Sequence, residues 1–371
     1  MTLSLEVTAT DGAARTGVVT TARRTFRTPC FMPVGTRGAV RAVSSADLED
    51  VGAEVVLANT YHLMLRPGTD VVEGLGGLHG FMAWHGHVLT DSGGYQVFPL
   101  SPSVDDDGVT FRSTYDGTTH RLTPEDAVAV QERLGADIQM VLDVCPPLPS
   151  PPEVVRTAVE RTAAWAKRAR KAHRRQGQAL FGIVQGGVDA SLRAESAMRT
   201  VEVGFDGYGI GGLSVGESRA DMLDALDACV DELPADQPRY LMGVGDPVGL
   251  VEAVARGVDM FDCVLPTRLA RHGTVLTADG RLSLKAAARR DDDRPLDPTC
   301  ACPVCKRWSR AYLRHLQMTG EPGSARLVTI HNLSWILGLV ERMRSAVEAG
   351  TLATLRAELA DTWCRGEEPP R

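Results

Sequence analysis

The chain has 371 residues, of which 43% are hydrophobic and 23% are charged, and its formal net charge is −7. No stretch approaches the roughly 18–20 uninterrupted apolar residues of a membrane helix, and the first residues lack the basic and apolar regions of a signal peptide. These features exclude a membrane-spanning helix and a small secreted disulfide scaffold, so we predict a cytoplasmic protein with no membrane partner.

The first thirty residues alternate polar and apolar around Asp11 and Gly12, a pattern typical of an antiparallel hairpin. Short apolar runs with polar or glycine ends then recur, and helical stretches lie between many of them. The eight runs are 31–35, 54–59, 87–91, 137–143, 179–185, 207–213, 239–245 and 258–264. Runs of this kind are typical of buried parallel strands. They predict a (β/α)8 TIM barrel, with a doubly wound open sheet as the alternative.

Two helices between these runs carry start signals. Thr123 and Pro124 are predicted to open a helix that ends at Gly135, and Ser150 is predicted to cap the next helix in a capping box with Glu153. This second helix is basic, with seven Lys or Arg and one Glu between 160 and 175. A solvent-exposed helix face and a polyanion-binding surface are both open interpretations. The last six residues, 366–371, are predicted to be disordered.

Polar residues and flexible turns follow the predicted strands, where the loops of a barrel gather over one mouth. They are Asn59, Asp91, Asp143, Gln185 and Asp262, with backbone turns at 211–213 and 242–243. One such Asp could simply cap a helix, whereas three converging carboxylates indicate a chemical site. Two carboxylates are the minimum for retaining glycosyl chemistry, because one attacks the anomeric carbon while the other handles protons.

Other residues near these strand ends suit a planar, polar base. Asp143, Gln185 and the backbone at Gly212 and Leu213 could supply its hydrogen-bond partners. Tyr95 follows a Gly-Gly turn and could stack on the ring.

Three of the eight cysteines, Cys300, Cys302 and Cys305, crowd into six residues, and His331 follows them. Three thiolates and one imidazole complete a tetrahedral zinc site with no open position, so the ion would be structural. We predict a zinc-binding subdomain at 295–333 within a single catalytic domain, 1–371. The alternative is that the cysteines are incidental. The surrounding stretch, 281–314, carries a net charge of +5, which favours contact with a polyanion.

Eight blocks occur in the order seen in the tRNA-guanine transglycosylases (queuine tRNA-ribosyltransferases), and the chain resembles this family from about residue 4 to about residue 350. The blocks are NTYHLMLRPG (59–68), TDSGGYQVF (90–98), DIQMVLDVC (137–145), LFGIVQGG (180–187), GYGIGGLSVGE (207–217), YLMGVG (240–245), DMFDCVLPTR (259–268) and the Cys/His cluster. Long blocks in a fixed order are far more specific than any short motif.

The resemblance implies a barrel with a C-terminal zinc-binding insertion, and an enzyme of queuosine biosynthesis. Such an enzyme exchanges the wobble guanine of GUN-anticodon tRNAs for a 7-deazaguanine. In bacterial members this base is 7-aminomethyl-7-deazaguanine, and Cys145 and Val215 match the bacterial pocket. The implied reaction is a double displacement through a covalent Asp-ribose intermediate, which needs no nucleotide cofactor.

The matching blocks also imply residue roles. Asp262 resembles the nucleophile, and Asp91 resembles the general acid/base group. The remaining assignments are Asn59 and Gln96 as supports of Asp91; Asp143, Gln185, Gly212 and Leu213 as base-recognition residues; Tyr95 and Met242 as the two sides of a base sandwich; and Arg268 and Arg271 as contacts to the anticodon loop. Trp308, Tyr312 and His315 resemble the family's homodimer interface, with ordinary packing as the alternative.

Some features depart from the family pattern. Val144 stands where bacterial members carry Glu, Asp246 stands where Lys is common, and 98–108 is short and acidic. They leave the base preference and the tRNA affinity open. The alternative functions are a non-catalytic partner subunit, an archaeal enzyme acting on the D-arm, a hydrolase that releases guanine, and an inactive zinc-stabilised scaffold. The retained Asp91 and Asp262 argue against the partner subunit and the inactive scaffold, whereas only product analysis separates exchange from hydrolysis.

Overall fold

The computed structural model describes residues 2–100 and 102–364, so the disorder predicted for 366–371 lies outside the described residues. Within them the strands are β1 (Leu3–Asp11), β2 (Ala14–Thr21), β3 (Thr25–Thr28), β4 (Cys30–Gly35), β5 (Val55–Ala58), β6 (His87–Thr90), β7 (Ser103–Val104), β8 (Val109–Arg112), β9 (Thr119–Leu122), β10 (Ile138–Met140), β11 (Ala179–Val184), β12 (Gly207–Ile210), β13 (Arg239–Leu241), β14 (Met260–Cys263), β15 (Thr274–Thr277) and β16 (Gly280–Ser283).

The α-helices of the same residues are α1 (Ser45–Asp50), α2 (Thr60–Leu65), α3 (Thr69–Gly74), α4 (Gly77–Met82), α5 (Gly94–Val97), α6 (Pro124–Leu134), α7 (Pro152–Ala172), α8 (Ala190–Val203), α9 (Arg219–Val230), α10 (Pro247–Val254), α11 (Leu265–Arg271), α12 (Arg310–Thr319), α13 (Pro322–Glu348) and α14 (Leu352–Trp363). None of these described helices combines the length and the apolar character that crossing a membrane requires.

Eight parallel strands close into a barrel in the order β10, β11, β12, β13, β14, β4, β5, β6. This confirms the predicted (β/α)8 barrel and excludes the open sheet. Every residue of β5, β6 and β11 is buried. The reason is that side chains fill the barrel interior on one face while helices cover the other, which accounts for the continuous apolar runs.

The N-terminal segment forms a three-stranded antiparallel sheet, β1–β2–β3, which confirms the predicted hairpin and adds one strand. Its turn places Gly12 at φ +63°, a conformation that glycine adopts without steric cost. The sheet is tied to the barrel by Arg15, whose Nη2 lies 2.6 Å from Asp259 Oδ2. Asp259 directly precedes β14, so the sheet lies at the end of the barrel opposite the carboxyl ends of the strands.

The two predicted helix starts have different outcomes. Helix α6 begins as predicted, with Thr123 and Asp126 in a capping box, and it ends at Gly135 in the left-handed conformation. The predicted cap at Ser150 is wrong, because Pro151 occupies the N-cap of α7 and makes no side-chain cap. The Ser150 hydroxyl instead donates to the Pro147 carbonyl at 2.6 Å.

Two of the seven basic residues at 160–175, Arg161 and Arg168, are paired with carboxylates within the molecule. Arg161 Nη2 lies 2.9 Å from Asp106 Oδ1, and Arg168 Nη2 lies 2.8 Å from Glu125 Oε2. Asp106 and Asp107 belong to the acidic stretch at 98–108, so this departure from the family pattern pairs with the basic helix. These ion pairs favour a structural role for Arg161 and Arg168, and the polyanion-binding interpretation stays open for the other basic residues of this stretch.

Two small sheets were not predicted. Strands β7, β8 and β9 form an antiparallel sheet between β6 and α6, and β15 pairs with β16 after α11. The second hairpin packs with α12, α13 and the cysteine-rich loop around a separate apolar cluster that includes Val275, Leu296, Val304 and Leu313. We call this region the metal lobe.

Candidate active site

A cavity of about 460 Å³ opens at the carboxyl ends of the barrel strands. The predicted site residues that line it are Asn59, Asp91, Tyr95, Gln96, Asp143, Gly212, Leu213, Met242, Asp262 and Arg268. Two further predicted residues are placed differently: Gln185 lies behind Asp143, and Arg271 lies outside the lining. The barrel therefore brings together residues that are more than 200 positions apart in the chain.

Asp91 is held by four hydrogen-bond donors. Asn59 Nδ2 and Gln96 Nε2 donate to its Oδ2 at 2.5 and 2.8 Å. The backbone amides of Thr60 and Gly93 donate to its Oδ1 at 2.8 and 3.1 Å. Burial raises the pKa of Asp91, and these donors oppose the rise because they stabilise the carboxylate. The result is a carboxyl group that is held in one orientation and whose pKa is raised.

Asp262 has a different environment. Tyr240 OH and the Gly243 amide both donate to its Oδ1, at 2.6 and 2.8 Å. Within the described residues Oδ2 accepts no hydrogen bond, and the half-buried side chain lines the cavity. Burial also raises the pKa of Asp262, and the two hydrogen-bond donors oppose this rise. One oxygen is thus anchored while the other faces the cavity, as a nucleophile requires.

Asp143 and Gln185 form a buried polar pair at the next part of the cavity. Gln185 Nε2 donates to Asp143 Oδ2 at 2.6 Å. Burial, reinforced by the charge of Asp91, raises the pKa of Asp143 to about 6. Gln185 Oε1 is buried and accepts no hydrogen bond within the described residues. Because an unsatisfied buried acceptor costs free energy, a hydrogen bond donated to this atom would stabilise the pair.

Tyr95 and Met242 lie on different loops of the same cavity. The Tyr95 side chain is 60% exposed, which is unusual for an aromatic residue beside a buried polar site. Its accessible ring is suited to stacking against a planar ligand.

A candidate metal centre lies in the metal lobe, apart from the cavity. The ligand atoms of Cys300, Cys302, Cys305 and His331 all lie within 4.8 Å of one another. His331 Nδ1 is 3.2 Å from Cys305 Sγ, and its Nε2 lies 2.8 Å from the Leu276 carbonyl. A proton on Nε2 would donate to that carbonyl and leave the Nδ1 lone pair facing the thiols. This donor set fits a four-coordinate metal ion with no open position.

The family model described as "Queuine tRNA-ribosyltransferase" matches residues 10–365. The chain belongs to the queuine tRNA-ribosyltransferase family. It is 52% identical over 361 residues to the queuine tRNA-ribosyltransferase of Solidesulfovibrio magneticus, covering 96% of this chain and 97% of that protein. It is 51% identical over 347 residues to the one from Halothermothrix orenii, covering 93% of each chain. The resemblance drawn from the sequence blocks is confirmed.

One residue of this family member was not predicted although it organises the site. Arg193, on α8, is fully buried. Its guanidinium donates to the carbonyl oxygens of Gly187, Gly211, Gly212 and Val184, at 2.7, 2.7, 3.1 and 3.3 Å. It therefore fixes the turn that follows β12. Nothing in the residues next to Arg193 in the sequence indicates this role.

Two further cavity residues were also missed. Tyr240 anchors Asp262, and Arg281 on β16 brings a second cation to the lining beside Arg268. Tyr240 has a signal in the sequence, because it belongs to the block YLMGVG (240–245) that also contains Met242. Arg281 lies on a hairpin that the sequence did not predict.

We expect Gly212→Ala to weaken base binding roughly tenfold, about 1.4 kcal/mol. Gly212 has φ +65°, and an added Cβ would lie only 2.3 Å from Gln185 Oε1, so Gln185 must move. The inhibition constant of free guanine measures the effect. Gly204→Ala is the matched control, because Gly204 has φ +80° with nothing within 4 Å of the added Cβ. Equal guanine affinity in the two variants would contradict the assignment.

Proposed function

We propose that the chain is a tRNA-guanine transglycosylase that exchanges the wobble guanine of GUN-anticodon tRNAs for a 7-deazaguanine, a step in queuosine biosynthesis. The observation that carries this proposal is the contrast between two carboxylates in one cavity. Asp91 is bound on both oxygens by four donors, whereas Asp262 keeps one oxygen free. Different environments suit different roles, one group for proton transfer and one for nucleophilic attack.

In the proposed reaction Asp262 Oδ2 attacks C1′ of the ribose, and the bond from C1′ to guanine breaks. Asp91 protonates the leaving base and later accepts the proton of the incoming base, which displaces Asp262 from C1′. The covalent ester retains the energy of the glycosidic bond, so the exchange needs no nucleotide cofactor. Tyr240 holds Asp262 in line, and burial raises the pKa of the Tyr240 hydroxyl so that it remains a donor.

Base recognition is proposed for Asp143, Gln185 and the turn at Gly212 and Leu213. The Asp143 carboxylate would accept from N–H groups of the base, and Tyr95 and Met242 would enclose its faces. We propose 7-aminomethyl-7-deazaguanine as the incoming base. Cys145 and Val215 line the cavity, and the nearby Glu217 carboxylate, which accepts from the Val215 amide at 3.0 Å, could attract the cationic aminomethyl group.

The remaining proposals concern the partners. Arg268 and Arg271 would bind the anticodon loop, since guanidinium groups suit phosphates and base edges. The ion held by Cys300, Cys302, Cys305 and His331 would be zinc, because three thiolates and one imidazole suit it. We also propose a cytoplasmic homodimer that uses Trp308, Tyr312 and His315, of which Tyr312 is 45% exposed.

The test is incorporation of labelled guanine into a GUN-anticodon tRNA. We expect incorporation that continues until label and tRNA guanine equilibrate, and none with a tRNA whose wobble base is not guanine. Release of free guanine without incorporation would identify a hydrolase. Neither incorporation nor release, by folded and metal-loaded protein, would favour a non-catalytic partner subunit.

We expect the affinity for free guanine to fall about tenfold between pH 7 and pH 5. The pKa of Asp143 is raised to about 6, so the carboxylate that accepts from the base is present above this pH and becomes protonated below it. Guanine inhibition constants from pH 5 to 8 measure the change. Asp143→Asn should bind more weakly with a flat profile near pH 6, and a flat wild-type profile would refute the assignment.

A further inference from the structure

Five arginines follow three barrel strands at the mouth. Arg268 and Arg271 lie on α11 after β14, Arg37 and Arg41 follow β4, and Arg66 follows α2 after β5. Because β14, β4 and β5 are neighbours in the barrel, we call this set the arginine arc. Burial, together with the neighbouring charges of Arg41 and Arg268, lowers the pKa of Arg271. Only Arg268 and Arg271 were predicted to contact RNA.

Tyr115, between β8 and β9, contacts two arginines of the arc, Arg37 and Arg66. The guanidinium carbons of Arg37 and Arg66 lie 5.3 and 4.9 Å from the centroid of its ring. Both are within the range of cation–π attraction. His62 Nδ1 lies 2.9 Å from the Tyr115 hydroxyl, which fixes the ring. One aromatic side chain thus orients two arginines.

Arg37 and Arg66 are exposed, and within the described part of the chain their positive charges are not neutralised by a nearby carboxylate. Among residues 2–100 and 102–364, no carboxylate lies within ion-pair distance of either group. Two like charges that share one ring repel each other within roughly one Debye length, about 10 Å. Arg121 on β9, by contrast, pairs with Asp105 at 2.8 Å. Guanidinium groups without a carboxylate partner favour an anionic ligand, and phosphate is an anion that guanidinium groups bind well.

The cluster is close to the proposed reacting groups. Thr60 begins α2 and donates to Asp91, while Arg66 follows the last residue of the same helix, roughly 9 Å further along its axis. Thr36 lines the cavity next to Arg37. Tyr61 OH lies 3.0 Å from Thr114 Oγ1, which ties the Tyr115 loop to α2. A ligand bound here would lie beside the mouth that admits the nucleotide.

We propose that Arg37, Tyr115 and Arg66 form a phosphate-binding site for the RNA backbone, next to the exchanged nucleotide. Arg37 and Arg66 bind the phosphate, and Tyr115 acts as a positioning residue for both. The site extends the RNA-binding surface from Arg268 and Arg271 along the arginine arc. This inference rests on the proposed function, because it takes the anion to be tRNA.

The test uses Arg37→Ala/Arg66→Ala in the full chain, with Arg121→Ala, on the small sheet next to Tyr115, as the control. Binding of an anticodon stem-loop RNA is followed by fluorescence anisotropy across NaCl concentrations. We expect at least a tenfold higher Kd for the double variant at low salt, with a salt slope smaller by roughly 1 to 2. The melting temperature and the guanine inhibition constant should not change, and Arg121→Ala should bind like the wild type.

An unchanged Kd and salt slope in the double variant would overturn the inference. A loss that Arg121→Ala reproduces would overturn it as well, because a general loss of positive charge would then explain it. Failure of the proposed function is seen separately: the wild type would bind the RNA yet incorporate no guanine. In that case the variant's loss of binding would still support the phosphate site.

Discussion

Asp262→Ala is expected to abolish guanine exchange while tRNA binding survives. The expected loss in kcat is on the order of 10⁴-fold or more, as for removal of other covalent nucleophiles. The reason is geometric, because Asp262 is the carboxylate whose free oxygen faces the cavity while Tyr240 and Gly243 anchor the other. Incorporation of labelled guanine measures the loss, and anisotropy with an anticodon stem-loop RNA measures binding.

Tyr240→Phe provides the graded control for this experiment. It removes one hydrogen bond to the Asp262 carboxylate and leaves the nucleophile in place. A hydrogen bond to a charged group contributes about 1.5–3 kcal/mol, so we expect a loss of roughly tenfold to a hundredfold. Retained turnover by Asp262→Ala would refute the nucleophile assignment, whereas parallel loss of RNA binding would indicate that the substitution disrupts the mouth.

Metal removal is expected to unfold the metal lobe. Its apolar cluster is small, and Cys300, Cys302, Cys305 and His331 join a loop to the long helix α13. Structural zinc contributes about 10 kcal/mol or more to the folding of small metal-bound units. We therefore expect chelator to remove or greatly lower one melting transition in calorimetry, and Cys305→Ser to behave like the chelated protein.

Cys364→Ser is the matched control, because Cys364 is exposed and lies outside the ligand cluster. Its melting profile should equal that of the wild type, since substitutions at exposed sites without special contacts usually change stability by less than about 0.5 kcal/mol. A chelated protein that melts like the untreated one would refute a structural role for the metal.

The barrel was predictable because six of its eight strands are buried at every residue and therefore appear as apolar runs. The strand ends then indicated where Asp91, Asp143 and Asp262 meet. The small sheet β7–β9 was not predictable, because its strands are short and largely polar, as in Thr119–Leu122. Nor was the pair of Arg15 and Asp259, since 244 residues separate them and neither carries a local signal.

The Ser150 error has a local cause. Ser, Pro and Glu in this order match a capping box, yet the helix begins one residue later than the pattern requires. Pro151 takes the N-cap position, and the serine hydroxyl turns back to the preceding loop. The residue types indicate that a helix begins in this segment, but the backbone conformation determines which residue is the N-cap.

Arg193 sets the orientation of the turn that we propose to bind the base. It draws the carbonyl oxygens of Gly211 and Gly212 towards α8, so the turn can offer amide protons to the cavity but few lone pairs. Asp143, when ionised, can only accept. A bound base must therefore present an acceptor edge to the turn and a donor edge to Asp143. Guanine carries O6 as an acceptor where adenine carries an amino donor, so a buried arginine that touches no substrate would make adenine a mismatched ligand.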